Sequence, residues 1–126
     1  GIMKEVAPES KLCVWSDMFD PNHNAHGDYY LVRGNLAGSW EGLPKEVLVV
    51  PWLYEKRKES LQWFSNRGHE QIIAGYYDHR PEQIANWLSA AEGVKGVTGY
   101  MYTTWEANYK DTQRMIDVAE AKSGNP

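Results

Sequence analysis

Four short apolar runs alternate with helix-like stretches along this chain, and no other feature restricts its fold so strongly. The runs are rich in β-branched and aromatic residues and occupy residues 11–17, 46–52, 70–78 and 96–105. Three of them are nearly continuous, without a clean two-residue alternation, which is typical of strands buried on both faces of a parallel sheet. We therefore predict four parallel strands.

Helix-like patterns come after the second, third and fourth of these runs. Their apolar residues recur at helical spacing over residues 55–67, 80–93 and about 107–121. Gly68 and Gly93 stand where helices commonly end, and Pro81 stands where a first turn tolerates it. The first two runs are separated by a loop, residues 19–45, in which "NLAGSWEGLP" is the candidate for a short helical turn. This order predicts an α/β fold with right-handed crossovers between parallel strands.

Size and charge limit the domain count and exclude some partners. With 126 residues, of which 42% are apolar, the chain can build one core, and we predict a single domain over residues 1–126. A formal net charge of −4 argues against nucleic acid as a partner, because binders of phosphate backbones usually carry a basic patch. No apolar run approaches the roughly 20 residues of a membrane span, so we expect no membrane partner either.

Compartment is weakly determined by the sequence. The lone Cys13 excludes an internal disulfide and says nothing about redox environment. There is no basic-then-apolar leader, and a natural start at Met3 would imply a cytoplasmic protein. The localisation otherwise stays unknown.

The carboxyl ends of the four predicted strands share one chemical pattern. In "VWSDMFD", "PWLYE", "GYYDH" and "TTWE" an aromatic residue is followed within a few positions by a carboxylate. Ligands of parallel α/β folds gather at these ends, because the loops converge there. Six Trp and eight Tyr against two Phe are also typical of sugar-binding surfaces, where rings stack on pyranose faces and carboxylates accept from hydroxyls. We predict a shared carbohydrate pocket, the alternative being that the rings only fill a core.

The long loop contains the weaker candidate for a site. It places His23 and His26 near Asp20 and Asp28, which could suggest a metal. Ala25 stands where the sharp turn of a calcium loop needs Gly, and no Glu closes the loop. We expect solvated histidines, with no metal and no cofactor.

The strand ends and the segments between them also resemble a known family. The stretches that carry the resemblance are "VWSDMF", "GLPKEVLVVPW", "ESLQWFSNRGHEQIIAGYYD" and "GVTGYMYTTWE", within about residues 11–120. They are similar to the C-terminal half of the barrel in β-hexosaminidase-like glycoside hydrolases, family 20. The resemblance implies an α/β fold that is a four-stranded (β/α) half-barrel, equivalent to strands five to eight of an eight-stranded TIM barrel.

The resemblance further implies a sugar subsite at the strand ends. The predicted site residues are Trp15, Asp17, Trp52, Tyr54, Tyr77, Asp78, Trp105 and Glu106. The resemblance implies all of them except Tyr54, which comes from the second strand end. The Trp rings would form walls, the carboxylates would accept from hydroxyls, and a Tyr such as Tyr77 would donate to an N-acetyl carbonyl. In better-known members one residue separates the last Trp from the Glu, whereas here Trp105 and Glu106 are adjacent.

Catalysis is where the chain departs most from that family. The family's substrate-assisted hydrolysis depends on an adjacent Asp–Glu pair at the end of strand four, in which the Glu is the general acid. No adjacent Asp-Glu pair occurs in these 126 residues. We therefore expect a carbohydrate-binding relative of β-N-acetylhexosaminidases that is not catalytic as an isolated chain.

A half-barrel also needs a partner. Its two outer strands have unpaired edges, which favour association with another chain. Two copies could close an eight-stranded barrel as a homodimer, and a missing N-terminal half-barrel is the other candidate partner. The alternative function is a non-catalytic, self-associating α/β scaffold or an orphan fragment with no sugar ligand, and composition does not separate the two.

Overall fold

One parallel sheet organises the part of the chain that the computed structural model describes, residues 2–28 and 33–124. The strands, in spatial order, are β1 (Cys13–Trp15), β2 (Leu48–Val50), β3 (Gln71–Ile73) and β4 (Val97–Tyr100). The α-helices are α1 (Ile2–Val6), α2 (Arg57–Asn66), α3 (Gln83–Ala91) and α4 (Thr112–Ser123). All three neighbouring strand pairs are parallel. The predicted α/β fold with four parallel strands is confirmed.

Strand register divides the sheet into two faces. Trp15 is opposite Val50 and Ile72 is opposite Gly99, so these residues share a face. On this face, which we call the open face, Leu48, Val50 and Ala74 are buried together with partly buried Trp52, Ile72 and Met101. The other side of the sheet carries Ile73 and packs against α2, α3 and α4. We call it the helix face.

Most of the hydrophobic core lies on the helix face. Its buried residues come from β3, its following loop and the three long helices: Leu61, Ile73, Tyr77, Ile84, Trp87, Ala90, Met115 and Ala119. Each large apolar side chain that is removed from water here contributes about 1.5–3 kcal/mol. This core fixes the positions of the carboxyl ends of β3 and β4.

The open face is covered unevenly. All three residues of β2 are buried, which confirms the prediction of burial on both faces for this strand. The outer strands are not buried in this way, since Cys13 and Trp15 in β1 are exposed and no residue of β4 is buried, so the prediction of burial on both faces for three of the four runs is wrong. The physical reason is position, since β1 is an outer strand of the sheet and pairs only with β2 among the described residues.

Helix boundaries differ from the sequence pattern at two places. The last helix begins at Thr112, not near residue 107, because Asn108 closes a turn first: its carbonyl accepts from the Tyr102 hydroxyl at 2.7 Å and its amide donates to Asp111 at 2.9 Å. The short α1 was not predicted. In the long loop, the helical turn predicted within residues 35–44 is confirmed as a 3-10 helix, Ser39–Gly42. Within the described residues, no helix has the length and apolarity needed to cross a membrane.

Candidate functional site

The chain after β2 supplies one aromatic wall. Trp52 is half-buried and meets His23 edge to face, with ring centroids 4.6 Å apart. Tyr54 begins a 3-10 helix, Tyr54–Lys56, and its hydroxyl accepts a hydrogen bond from Asn86 Nδ2 at 2.7 Å. The Arg57 guanidinium lies 4.2 Å above the Tyr54 ring. These contacts fix both rings at the carboxyl end of the strand.

A left-handed glycine sets the path of the chain after β3. Gly75 has φ of 48°, and a Cβ there would lie 2.5 Å from the Tyr77 ring, so only glycine permits this turn. Tyr77 is thereby buried in the core of the helix face, stacked on Tyr102 at 5.8 Å. Burial raises the pKa of the Tyr77 hydroxyl well above its usual value. Tyr76 instead remains partly exposed, and its hydroxyl donates to Glu106 at 3.3 Å.

Asp78 lies beneath the turn that comes after β4. It is 1% exposed, one of its oxygens accepts from the Thr104 hydroxyl, and the other accepts from the Trp105 and Glu106 amides at 2.7 and 3.4 Å. Burial raises the pKa of the Asp78 carboxyl, but these hydrogen bonds outweigh it and hold the pKa below its usual value. Thr104 in turn accepts from the Asn108 amide at 2.9 Å. The turn is therefore organised around one buried carboxylate.

Glu106 belongs to a polar group at the surface of this turn. One carboxylate oxygen accepts from Tyr76, and the other lies 2.9 Å from His79 Nε2. Desolvation, and then the charges of Glu106 and Asp78, raise the pKa of Tyr76, so its hydroxyl stays protonated at neutral pH. Backbone at His79 and Ala107 is left-handed, with φ of 61° and 54°, a strained conformation for residues other than glycine.

A cleft of about 350 Å³ opens between the ends of β2, β3 and β4. Two tryptophans frame it, Trp52 and Trp105, with ring centroids 6.0 Å apart and planes inclined by 51°. Trp105 is 67% exposed, so most of its surface is free for a ligand. The full lining is Trp52, Leu53, Tyr54, Glu55, Tyr76, Arg80, Gln83 and Trp105. The cleft thus combines aromatic faces with hydroxyl, amide, carboxylate and guanidinium groups.

The residues predicted from sequence separate into three groups. Trp52, Tyr54 and Trp105 line the cleft, and Glu106 borders it through its bond to Tyr76. Tyr77 lies in the core, and Asp78 lies under the turn.

Trp15 and Asp17 lie away from the cleft lining, at the end of β1. Trp15 is on the open face, and Asp17 begins the 3-10 helix Asp17–Phe19 and accepts from Asn24.

Sequence reasoning did not select five of the lining residues. They are Leu53 and Glu55 after β2, Tyr76 and Arg80 after β3, and Gln83, which begins α3. In "GYYDHR" the two tyrosines are equivalent by composition, and the signal that separates them is the preceding Gly75, which permits the turn that buries the second one.

The long loop forms local contacts of its own. Asp20 is buried and accepts from both the backbone and the side-chain nitrogen of Asn22, at 2.8 and 3.1 Å. Burial lowers the pKa of His23, although the nearby carboxylates of Asp17, Asp20 and Glu55 act in the opposite direction. In the described ranges, no group of three or more His, Cys, Asp or Glu is arranged to hold a metal ion. Tyr29 and Tyr30 lie outside the described residues.

A larger depression of about 660 Å³ lies at the opposite edge of the sheet, before β1 and β2. Its walls include Met3, Leu12 and Val47, and the Lys4–Glu46 ion pair lies beside it at 2.9 Å. No aromatic side chain lines it. The cleft at the carboxyl edge is smaller, but its aromatic rings and varied polar groups suit a sugar better than this depression does.

Comparison with known proteins adds no family to this geometry. The chain matches no protein-family model, and no curated protein matches it significantly. The functional conclusion therefore depends on the residues of the cleft and its surroundings.

Proposed function

We propose that this chain binds a sugar of the N-acetylhexosamine type in the cleft that Trp52 and Trp105 line. The observation that carries the proposal is this tryptophan pair, 6.0 Å apart at the carboxyl edge of a parallel sheet, with polar side chains around it. Aromatic rings offer apolar faces to the C–H side of a pyranose, while hydroxyl and carboxylate groups select the orientation of its hydroxyls.

The side chains of the cleft suggest how the sugar is held. Trp105 offers an exposed ring face for stacking, and Trp52, held by its contact with His23, offers a second aromatic surface. Because the Tyr77 hydroxyl is buried in the core, we assign the donation to an N-acetyl carbonyl to Tyr76. On sugar binding, the single Tyr76 O–H turns from Glu106 to that carbonyl. Glu106 accepts from a sugar hydroxyl on the oxygen that Tyr76 releases, while its other oxygen stays 2.9 Å from His79 Nε2.

The resemblance to family 20 glycoside hydrolases fits this function without hydrolysis. We propose that the chain is a carbohydrate-binding relative of the C-terminal half-barrel of β-N-acetylhexosaminidases. The described sheet is compatible with such a half-barrel, because its four strands are parallel and are arranged in chain order. The sequence lacks an adjacent Asp-Glu pair, so we expect no hydrolysis by the isolated chain.

Tryptophan fluorescence tests the sugar proposal directly. Titration with N-acetylglucosamine to tens of millimolar should change the emission and saturate, because two of the six Trp line the cleft. Xylitol at equal concentration is the control for solvent effects. An unchanged spectrum from folded protein would contradict sugar binding.

We also propose that the half-barrel is completed by a second copy of the chain. Support comes from the open face, where Ile72 and Met101 are only partly buried and Trp15 is 46% exposed. The two outer strands add further support, since β1 and β4 each pair on one side within the described ranges. Pairing β1 of one copy with β4 of the other would cover these surfaces in a symmetric dimer.

Light scattering coupled to size exclusion should show a mass of twice the 14.4 kDa chain. Met101→Lys places a charge on the open face and should shift the protein toward monomer, whereas Gln113→Lys, on an exposed position of α4, should not. A wild-type monomer at high micromolar concentration would contradict the dimer. A dimer without any sugar response would favour the non-catalytic scaffold as the function.

A further inference from the structure

Resting on the proposed sugar site, we infer that Asp78 is a positioning residue: it holds the turn of Thr104, Trp105 and Glu106 in the shape that binds sugar, and it does not contact the sugar. This role differs from that of a carboxylate that accepts from a ligand hydroxyl. It explains why a charged side chain is buried between the chain that follows β3 and the turn that follows β4.

Asp78 has almost no exposed surface to offer a ligand. The residue is 1% exposed, and both carboxylate oxygens already accept hydrogen bonds from the turn. Because the residue is so deeply buried, a sugar hydroxyl could reach either oxygen only by opening the turn, which would leave the Thr104 hydroxyl or a backbone amide unpaired.

The Asp78 carboxylate also determines where Trp105 lies. Its bond from the Trp105 amide, at 2.7 Å, fixes the backbone of a side chain that is itself 67% exposed and has few contacts to hold it. The ring is nevertheless 6.0 Å from Trp52. Bonds to an ionised acceptor are about twice as strong as neutral ones, so the charge of Asp78 supports the tryptophan pair.

Four titratable residues lie close to Asp78. They are His79, Tyr76, Tyr102 and Glu106. Of these, His79 favours the ionised form of Asp78. Because the hydrogen bonds hold the pKa of Asp78 below its usual value, the carboxylate is present at neutral pH and is lost only in acid.

The test in the free protein uses the near-ultraviolet circular dichroism of the tryptophan pair. The contribution of Trp105 is the difference between wild type and Trp105→Ala, and it should largely disappear when the same difference is measured in the Asp78→Asn background. An unchanged difference would overturn the inference. Asp117→Asn, an exposed carboxylate on α4, is the matched control and should leave the difference intact.

The pH dependence of the Trp105 dichroism provides a second test of the positioning role of Asp78. In wild type the Trp105 contribution should be constant above about pH 4, near the unperturbed pKa of Asp, and should decrease below it as Asp78 becomes protonated. In Asp78→Asn it should be small at every pH. A wild-type contribution that stays constant while the Asp78 carboxyl titrates, as followed by its ¹³C chemical shift, would contradict the inference.

The test with ligand separates positioning from contact. Asp78→Asn should weaken binding of N-acetylglucosamine and of its 4-deoxy and 6-deoxy analogues by one common factor, about tenfold, equivalent to about 1.4 kcal/mol. If Asp78 contacts a hydroxyl, the analogue that lacks it will lose nothing further in the variant, and the inference is wrong.

Two further measurements keep the outcome clear. If wild type binds no sugar, the proposed function fails, while the dichroism of the free protein still decides the role of Asp78. If Asp78→Asn does not fold, Thr104→Val retains the carboxylate, removes one donor and should reduce the Trp105 contribution in part. No reduction in folded Thr104→Val would then count against the positioning role.

Discussion

Replacing Trp87 with alanine should lower the free energy of unfolding by about 3–5 kcal/mol, the range for large aromatic residues in cores. Trp87 is fully buried, packs in the helix-face core and meets the Tyr54 ring at 6.5 Å. Its removal would leave a cavity between α3 and the sheet, directly behind one wall of the cleft. Urea denaturation followed by circular dichroism gives the change.

Trp87→Phe is the matched variant for this prediction. Within the described residues, the indole N–H of Trp87 has no hydrogen-bond partner, so phenylalanine removes no bond and fills most of the space. We expect a clearly smaller loss than for alanine. A loss below about 1 kcal/mol for Trp87→Ala would contradict the packing described for the helix face.

Replacing Trp105 with alanine should weaken N-acetylglucosamine binding at least tenfold, which is about 1.4 kcal/mol, with little effect on stability. The ring is 67% exposed and supplies one face of the cleft, so its loss removes stacking area without opening the core. Urea denaturation should stay within about 0.5 kcal/mol of wild type. Calorimetric or fluorescence titration measures the change in affinity.

The chain contains a suitable control for the loss of a paired tryptophan. Trp40 and Trp63 also meet edge to face, at 5.4 Å, but neither lines the cleft. Trp40→Ala should leave sugar affinity unchanged. If Trp105→Ala and Trp40→Ala weaken binding equally, or neither does, the cleft is not the binding site.

The sequence pattern was sufficient to predict the sheet. Alternation of apolar runs with helical stretches indicated four parallel strands, because two-sided burial and helical crossovers leave clear periodicity. The burial of β2 and the exposure of β1 were harder to separate, since both runs are apolar and only strand order makes one of them an edge.

The position of the cleft could be predicted from the sequence, but only some of the residues that line it could be. Strand ends indicated that Trp52, Tyr54 and Trp105 would lie together at one edge of the sheet, and all three line the cleft. Which of Tyr76 and Tyr77 points into the core depends on the left-handed backbone conformation of Gly75. A hydropathy pattern contains no information about that conformation.

Buried polar contacts were the other feature hidden from sequence. In "YYDH" Asp78 resembles a ligand-binding carboxylate, yet its partners are a hydroxyl and two amides almost thirty residues away along the chain. The turn around Asn108 likewise delays the start of α4 to Thr112. Both depend on specific hydrogen bonds that periodicity does not encode.

The most direct test of the sugar cleft is a two-dimensional ¹H–¹⁵N spectrum of the six tryptophan indole N–H groups during titration with N-acetylglucosamine. Assignment comes from single Trp→Phe variants. We expect saturable shifts for Trp52 and Trp105, with those of Trp40 and Trp63 unchanged. Shifts confined to other tryptophans, or none at tens of millimolar sugar, would contradict sugar binding in this cleft.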